Sequence, residues 1–385
     1  MWPGEPGYTD TLLMEYPNEL QLVISRRNLL IAGGLGAVGA ALGGCEDVPD
    51  EPAPDLPPPP LRPTEAPRER LEVSPFNTDK LGAPYIGVST GDRTDRLNSK
   101  QIDAYMELVA KYGNVTRLDF GSSVDRAVHM DAAYRYKVGI VALFNTSMQP
   151  EDIAETIIRH GAQNGGPIMV AEVGGNEQNN EGFSIGGADV ANFTQRFIEA
   201  AEVVRSVAPR GSGVEIISGG LSPAVTRGLN IAPVTFMDRF LDGLERSNKM
   251  WLLDGVGMHP YDYPSTKHTE PWSAWHQMAG GPNTQQGERY TLRDVLERHD
   301  GAPNKIYITE VGATTTGERA VSQRVQRAIV KHAITAPVPG IETPVRIVFT
   351  LHDDPNQQDP SEVGFGIHKK LAGRYMLDAI AAARR

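Results

Sequence analysis

Short apolar runs and longer amphipathic segments alternate along the chain from residue 84 to residue 384. Apolar runs bounded by turn residues predict buried strands, and apolar residues spaced three or four positions apart predict helices. The predicted strands are residues 84–89, 114–120, 138–144, 167–173, 214–218, 253–259, 305–311 and 345–351. Helices are predicted in the longer segments, among them residues 188–206, 320–335 and 372–384. The apolar stripe of the second of these helices is predicted to contain Val321, Val325, Ala328, Ile329 and His332.

Eight repeats of a strand and a helix in about 300 residues predict a (β/α)8 TIM barrel, an α/β fold whose strands are buried on both faces. An open, doubly wound sheet is the alternative. Such a sheet usually carries a G-x-G-x-x-G loop after its first strand, and residues 89–98 (STGDRTDRLN) lack it. We therefore expect a single catalytic barrel over residues 81–385, with functional side chains at the C-terminal ends of its strands.

The first 45 residues have the pattern of an export signal. Arg26 and Arg27 precede an apolar, glycine-rich run that ends at Cys45. The run is short for a membrane span, which needs about 20 apolar residues. SRRNLL resembles a twin-arginine export motif, and LGGC resembles a bacterial lipobox in which Cys45 carries the lipid. We expect residues 1–45 to be a twin-arginine lipoprotein signal peptide, with a non-cleaved anchor helix as the alternative and Met14 as a possible start.

Residues 46–80 are rich in proline and acidic residues and are predicted to form an extended linker. Together with the signal, this linker predicts an exported protein, anchored by lipid on the extracytoplasmic face of a bacterial membrane. The formal net charge of −11 argues against nucleic acid as a partner. The single cysteine excludes an intrachain disulfide and a zinc site made of cysteines.

Polar residues lie near the ends of five of the predicted strands or directly after them. They are Arg117 and Asp119 in strand two, Asn176 and Glu177 after strand four, His259 and Tyr261 at and after the end of strand six, Glu310 in strand seven, and His352 and Asp353 after strand eight. Strands four and seven face each other across an eight-stranded barrel, so Glu177 and Glu310 can bring their carboxyl groups to about 5 Å from one another. That separation suits retaining glycoside hydrolysis, in which one carboxylate attacks the sugar and the other transfers a proton.

These motifs resemble those of the clan A retaining glycoside hydrolases. AEVGGNEQN at residues 171–179 is similar to the E-x-G-N-E-P stretch of arabinofuranosidase-like and heparanase-like members, and ITEVGA at residues 308–313 resembles their strand-seven ending. TRLDF in strand two, HPYDYP after strand six and the closing residues 364–380 also match. The resemblance implies that Glu177 is the acid/base, Glu310 is the nucleophile and Asn176 binds the sugar 2-hydroxyl.

The resemblance further implies that Arg117, His259 and Tyr261 orient the nucleophile or bind sugar, and it calls for no cofactor. Two departures concern the pocket. Gln178 replaces the usual proline, and strand eight has no tryptophan where Phe349 stands among its last residues.

Five more residues are predicted to contact the sugar. They are Asp119, His352 and Asp353, and Trp272 and Trp275 in the long segment after strand six. The predicted partner is an oligo- or polysaccharide. Two alternatives stay open at this point. One is a carbohydrate-binding barrel without catalysis, and the other is a metal-dependent hydrolase that uses His259, His352 and Asp353.

Overall fold

Eight strands, each followed by a helix, make up the described part of the chain. The structure is a computed structural model that describes residues 84–89, 97–121, 126–180, 188–223, 228–261, 278, 291–355 and 363–383. The strands are β1 Tyr85–Val88, β2 Val115–Phe120, β3 Gly139–Phe144, β4 Ile168–Val173, β5 Glu215–Ser218, β6 Val256–Met258, β7 Ile306–Val311 and β8 Val345–Val348. The helices are α1 Ser99–Tyr112, α2 Ala127–Tyr136, α3 Pro150–His160, α4 Val190–Val207, α5 Pro233–Arg246, α6 Leu292–Arg298, α7 Gln323–Thr335 and α8 Leu371–Ala383.

The strands form one parallel sheet that nearly closes on itself. Its order is β5-β4-β3-β2-β1-β8-β7-β6. The two outer strands meet through bridges between Ile217 and Gly255 and between Leu221 and Met258. This is the (β/α)8 barrel that the sequence predicts, and each predicted apolar run contains one observed strand.

The barrel has an apolar floor and a polar mouth. Val115, Val141, Ile217, Tyr307 and other buried strand residues form one apolar cluster, while a larger cluster fills the space between strands and helices. Since side chains alternate along a strand, the face of β2 that carries Val115 continues upward with Arg117. Charged groups therefore begin inside the barrel directly above the apolar layer.

The buried face of α7 differs from the predicted stripe. Val325 and Ala328 are exposed, whereas the buried residues are Gln326, Ile329, Val330, Ala333 and Ile334. Gln326 occupies a core position because its amide donates to the carbonyl of Ala313 at 2.9 Å. The predicted stripe was therefore wrong at Val325 and Ala328. It is confirmed at Ile329 and in part at the half-buried His332, while Val321 is half-buried but precedes the helix.

No helix in the described ranges is long and apolar enough to cross a membrane. The predicted signal peptide with Cys45, the predicted linker, and Trp272 and Trp275 lie outside the described residues. Their roles stay predictions.

Candidate active site

A buried ion pair between β2 and β4 forms the base of the site. Arg117 is 6% exposed and Glu172 is fully buried. Nε and Nη2 of Arg117 donate to the two carboxylate oxygens of Glu172 at 2.6 and 2.9 Å. Nη2 also donates to Oδ1 of Asn176 at 2.8 Å, and Nη1 donates to Oε1 of Glu310. One guanidinium thus joins strands two, four and seven.

Glu310 reaches this guanidinium because β7 is irregular. Ile308 pairs with Arg346 and Val311 with Val348, so β7 has one residue more than β8 over this stretch. Such a bulge changes the direction of the side chains it contains. Its consequence is that Thr309 and Glu310, although adjacent, both contact groups in the barrel mouth.

Glu177 is positioned by a left-handed turn after β4. Gly174 and Gly175 have φ of 100° and 86°, and Glu177 itself has φ of 46°, which is uncommon for a residue with a long side chain. The N–H of Glu177 donates to the carbonyl of Gly220 at 2.9 Å. The buried Asn179 stabilises the turn further, because its side-chain amide donates to the Ser222 carbonyl at 2.9 Å.

His259 lies between the two acids and is fully buried. Its Nδ1 is 2.8 Å from Oε1 of Glu177 and 3.8 Å from Oε2 of Glu310. Its Nε2 is 3.0 Å from Oγ1 of Thr309. A Cβ at Gly220 would lie 2.1 Å from Nε2, so only glycine lets the imidazole sit this close to β5. His259 is therefore held in place on both ring nitrogens.

The surroundings of Glu310 favour its ionised form. Burial alone would raise the pKa of Glu310, but His259, Arg117 and the Tyr261 hydroxyl together lower it below the ordinary value. The hydroxyl of Tyr261 donates to Oε2 of Glu310 at 2.6 Å. Although burial opposes its charge, Glu172 and Glu310 raise the pKa of Arg117, so the guanidinium stays protonated.

Glu177 and Glu310 come close together, as the sequence predicted from their strand positions. An oxygen of each and a ring nitrogen of His259 all lie within 4.8 Å of one another. Glu177 and Glu310 are buried, at 8% and 9% exposure of the whole residue. Two carboxyl groups at this separation can act on the two sides of one glycosidic bond.

The same three residues offer a donor set that could hold a metal ion. Arg117, however, already donates to Glu310, and its positive charge would repel a cation bound there. The arrangement therefore fits an anionic nucleophile better than a metal ligand.

The other predicted residues divide between the mouth and a neighbouring region. The half-buried Asn176 is bonded to Arg117, and the exposed Asp119 adds negative charge near that guanidinium. Asp353, by contrast, accepts from Lys370 at 2.7 Å. His352 packs against Tyr105 and His368, with ring centroids 6.0 and 4.7 Å apart. These contacts do not join His352 and Asp353 to the carboxylate cluster, and their predicted contact with sugar remains untested.

An aromatic group borders the mouth where the expected tryptophan is absent. Phe349 and Phe365 contact the ring of Tyr261, with centroids 6.4 and 5.8 Å away. Phe349 is half-buried. The site thus has an aromatic surface next to the tyrosine that binds Glu310.

Two residues of this network, Glu172 and Thr309, were not predicted as site residues. A carboxylate inside an otherwise apolar strand was the available signal for Glu172. The bulge that turns Thr309 inward has no comparable signature in the sequence.

The sequence matches no protein-family model, and no curated protein matches it. Solved structures, however, share the fold. A family 39 glycoside hydrolase from the gut symbiont Bacteroides cellulosilyticus superposes with a TM-score of 0.52 at 14% identity, over 77% of this chain and 63% of that one. A glucosidase from Croceicoccus marinus gives a TM-score of 0.52 at 11% identity, over 80% and 69%.

The chain therefore spans less than two thirds of the length of the first of these enzymes. At such identities the similarity concerns the fold and not the individual side chains. The structural neighbours of this chain are clan A (β/α)8 glycoside hydrolases, the group that its sequence motifs resemble.

Proposed function

We propose that this protein is a retaining glycoside hydrolase that acts on an oligo- or polysaccharide, with Glu310 as nucleophile and Glu177 as acid/base. The observation that carries the proposal is the approach of Glu177 and Glu310 oxygens to within 4.8 Å. Retaining enzymes hold their carboxyl groups about 5–5.5 Å apart, whereas inverting enzymes leave about 6.5–9.5 Å for a water molecule.

In the first step, an oxygen of Glu310 attacks the anomeric carbon and the glycosidic bond breaks. The proton of Glu177 goes to the leaving oxygen, and the sugar becomes esterified to Glu310. Arg117 and Tyr261 support this role because they keep Glu310 ionised before the attack. His259 contacts Oε1 of Glu177 and so orients the carboxyl group that gives the proton.

In the second step, Glu177 takes a proton from a water molecule that attacks the same carbon. The ester bond breaks and Glu310 returns to its carboxylate form. Two inversions restore the original anomeric configuration. Asn176 and Phe349, both half-buried, are proposed sugar contacts. In our proposal, export and lipid attachment at Cys45 place the enzyme outside the cytoplasm.

The proposal is tested with aryl glycosides and cell-wall polysaccharides, using wild type, Glu177→Ala and Glu310→Ala. Wild type should release product of retained configuration, seen by NMR of the first product formed. Azide should restore turnover of Glu310→Ala with an inverted glycosyl azide. With Glu177→Ala, azide should restore turnover with a retained one. Glu177→Ala should also keep most activity on substrates whose leaving groups need no proton.

A matched control is Glu215→Gln, which changes a strand carboxylate at the opposite end of the barrel, bound to Lys305 at 3.1 Å. It should lower stability without changing the chemistry. Undiminished activity in both active-site variants would contradict the mechanism. Sugar binding that survives Glu310→Gln, with no turnover in wild type, would indicate a binding protein instead. Loss of activity on chelation would indicate a metal-dependent hydrolase.

A further inference from the structure

Glu172 is a third carboxylate beside the two proposed catalytic acids, and the mechanism above assigns it no role. It lies near the C-terminal end of β4 and is fully buried. Burying a charge is costly unless the charge is paired and hydrogen-bonded. The contacts of Glu172 therefore indicate which groups its charge stabilises and orients.

Four donors hold the Glu172 carboxylate in one orientation. Arg117 contributes Nε and Nη2, the N–H of Gly220 donates at 2.7 Å, and the hydroxyl of Thr309 lies at 3.4 Å. A bidentate hydrogen-bonded pair of guanidinium and carboxylate fixes the plane of the guanidinium as well as its position. Because two nitrogens of Arg117 are fixed by Glu172, the direction of Nη1 toward Glu310 is fixed too.

The single positive charge of Arg117 is consequently divided between two carboxylates. Glu172 receives two of its hydrogen bonds and Glu310 receives one. A guanidinium committed to Glu310 alone would stabilise that carboxylate more strongly. A more stabilised carboxylate is a weaker nucleophile in the first step and a better leaving group in the second.

We infer, on the basis of the retaining mechanism proposed above, that Glu172 is a positioning residue that aims Arg117 at Glu310 and limits how strongly Arg117 stabilises the nucleophile. Glu172 touches no reacting atom in this role. Its effect reaches the sugar through Arg117 and Glu310, and it acts oppositely on the two halves of the reaction.

The test compares Glu172→Gln with wild type and with Asp254→Asn. The glutamine keeps the shape of Glu172 and one oxygen that can accept from Nη2 of Arg117 and from the N–H of Gly220. It removes the charge and the second oxygen, which accepts from Nε of Arg117. Asp254 is a matched control because it is a buried carboxylate, 7% exposed, that binds Arg205 and Arg210 at the far end of the barrel. Both variants remove the charge of one buried ion pair, so both should unfold at lower temperature.

The first readout is the ionisation of Glu310, measured by NMR of protein labelled with 13C at the glutamate carboxyl carbons. The signal of Glu310 is assigned as the one that is missing in Glu310→Gln. In Glu172→Gln, a like charge is lost and more of the Arg117 charge falls on Glu310. Both changes favour the anion, so the titration midpoint should move down by about half to one pH unit. In Asp254→Asn it should not move.

The second readout is turnover of aryl glycosides with graded leaving groups. Glu172→Gln should slow substrates limited by the first step by roughly threefold to tenfold. Substrates limited by breakdown of the glycosyl-enzyme should be turned over as fast as by wild type or faster. Asp254→Asn should change neither class, because a purely structural loss has no reason to separate the two steps.

A Glu310 midpoint in Glu172→Gln that stays within about 0.2 units of wild type, or that moves upward, would overturn the inference. Equal slowing of both substrate classes would also overturn it. If wild type hydrolyses no glycoside at all, the proposed function fails. The NMR titration still tests whether Glu172 governs the charge felt by Glu310.

Discussion

Replacing Tyr261 with phenylalanine tests how the fold keeps Glu310 ionised. The Tyr261 hydroxyl donates to Oε2 of Glu310 at 2.6 Å, and both residues are buried. Phenylalanine keeps the ring contacts with Phe349 and Phe365 and removes only the donor. The substitution should therefore leave the local packing in place and raise the pKa of Glu310.

The size of the effect follows from the hydrogen bond. A bond to a charged group stabilises by about 1.5–3 kcal/mol, and one pKa unit corresponds to about 1.4 kcal/mol. Water entering the mouth can replace part of the lost donor, so we expect the lower end of the range. Tyr261→Phe should raise the pKa of Glu310 by about one unit and lower the free energy of unfolding near pH 7 by about 1.4 kcal/mol.

The pH dependence has a defined sign. The folded-state pKa of Glu310 is below its ordinary value, so its ionised form stabilises the fold at pH values above the unfolded-state pKa of about 4.3. This stabilisation is lost as the pH falls through the folded-state pKa. The difference between wild type and Tyr261→Phe should therefore be full at neutral pH and shrink toward the acid end of the titration.

Two assays measure this effect. One is the free energy of urea unfolding between pH 3 and pH 8, and the other is the acid limb of kcat/KM, which should move up by about one unit. Tyr105→Phe is the matched control, since its buried hydroxyl donates to the neutral carbonyl of Ser89 at 3.0 Å. Its cost should be about 1 kcal/mol at every pH. A pH-independent loss in Tyr261→Phe, like that of the control, would refute the reasoning.

Two further predictions concern the scaffold. Ile329→Ala should destabilise the fold by about 2–5 kcal/mol because Ile329 is 2% exposed. Val325→Ala should change stability by less than about 0.5 kcal/mol because Val325 is 38% exposed. If the two variants lost the same stability in thermal unfolding, the observed buried face of α7 would be contradicted. Gly174→Ala should cost about 2–4 kcal/mol, since φ is +100° and a Cβ would lie 2.6 Å from the Phe193 ring. Gly211→Ala, at φ +82° with open space around it, should cost only about 1–2 kcal/mol; a Gly174→Ala as mild as this control in urea unfolding would show that the turn before Glu177 is not rigid.

The barrel could be predicted from the sequence because its strands are buried on both faces. Such strands appear as nearly continuous apolar runs, and all eight coincide with observed strands. The buried faces of the helices were harder to predict, because a helix on the outside of a barrel can bury a polar residue that forms a hydrogen bond there. Gln326 does so through the carbonyl of Ala313, and the face of α7 is rotated as a result.

The site could be predicted in part for a related reason. Glu177 and Glu310 stand at the ends of strands, and the barrel brings strand ends together at one mouth. The route by which their side chains meet could not be predicted, because it depends on a left-handed residue at Glu177 and on an extra residue in β7. Glu172 was visible as a charge in an apolar strand, but its hold on Arg117 is a contact between distant segments.

Trapping the covalent intermediate tests the central claim most directly. The protein would be incubated with 2-deoxy-2-fluoro glycosides that carry a good leaving group, which slow the second step more than the first. The account predicts that the intact mass rises by one fluorosugar, that the label lies on the peptide containing Glu310, and that Glu310→Gln takes up none. An active enzyme that acquires its label on another residue, or that releases sugar of inverted configuration without labelling, would contradict it.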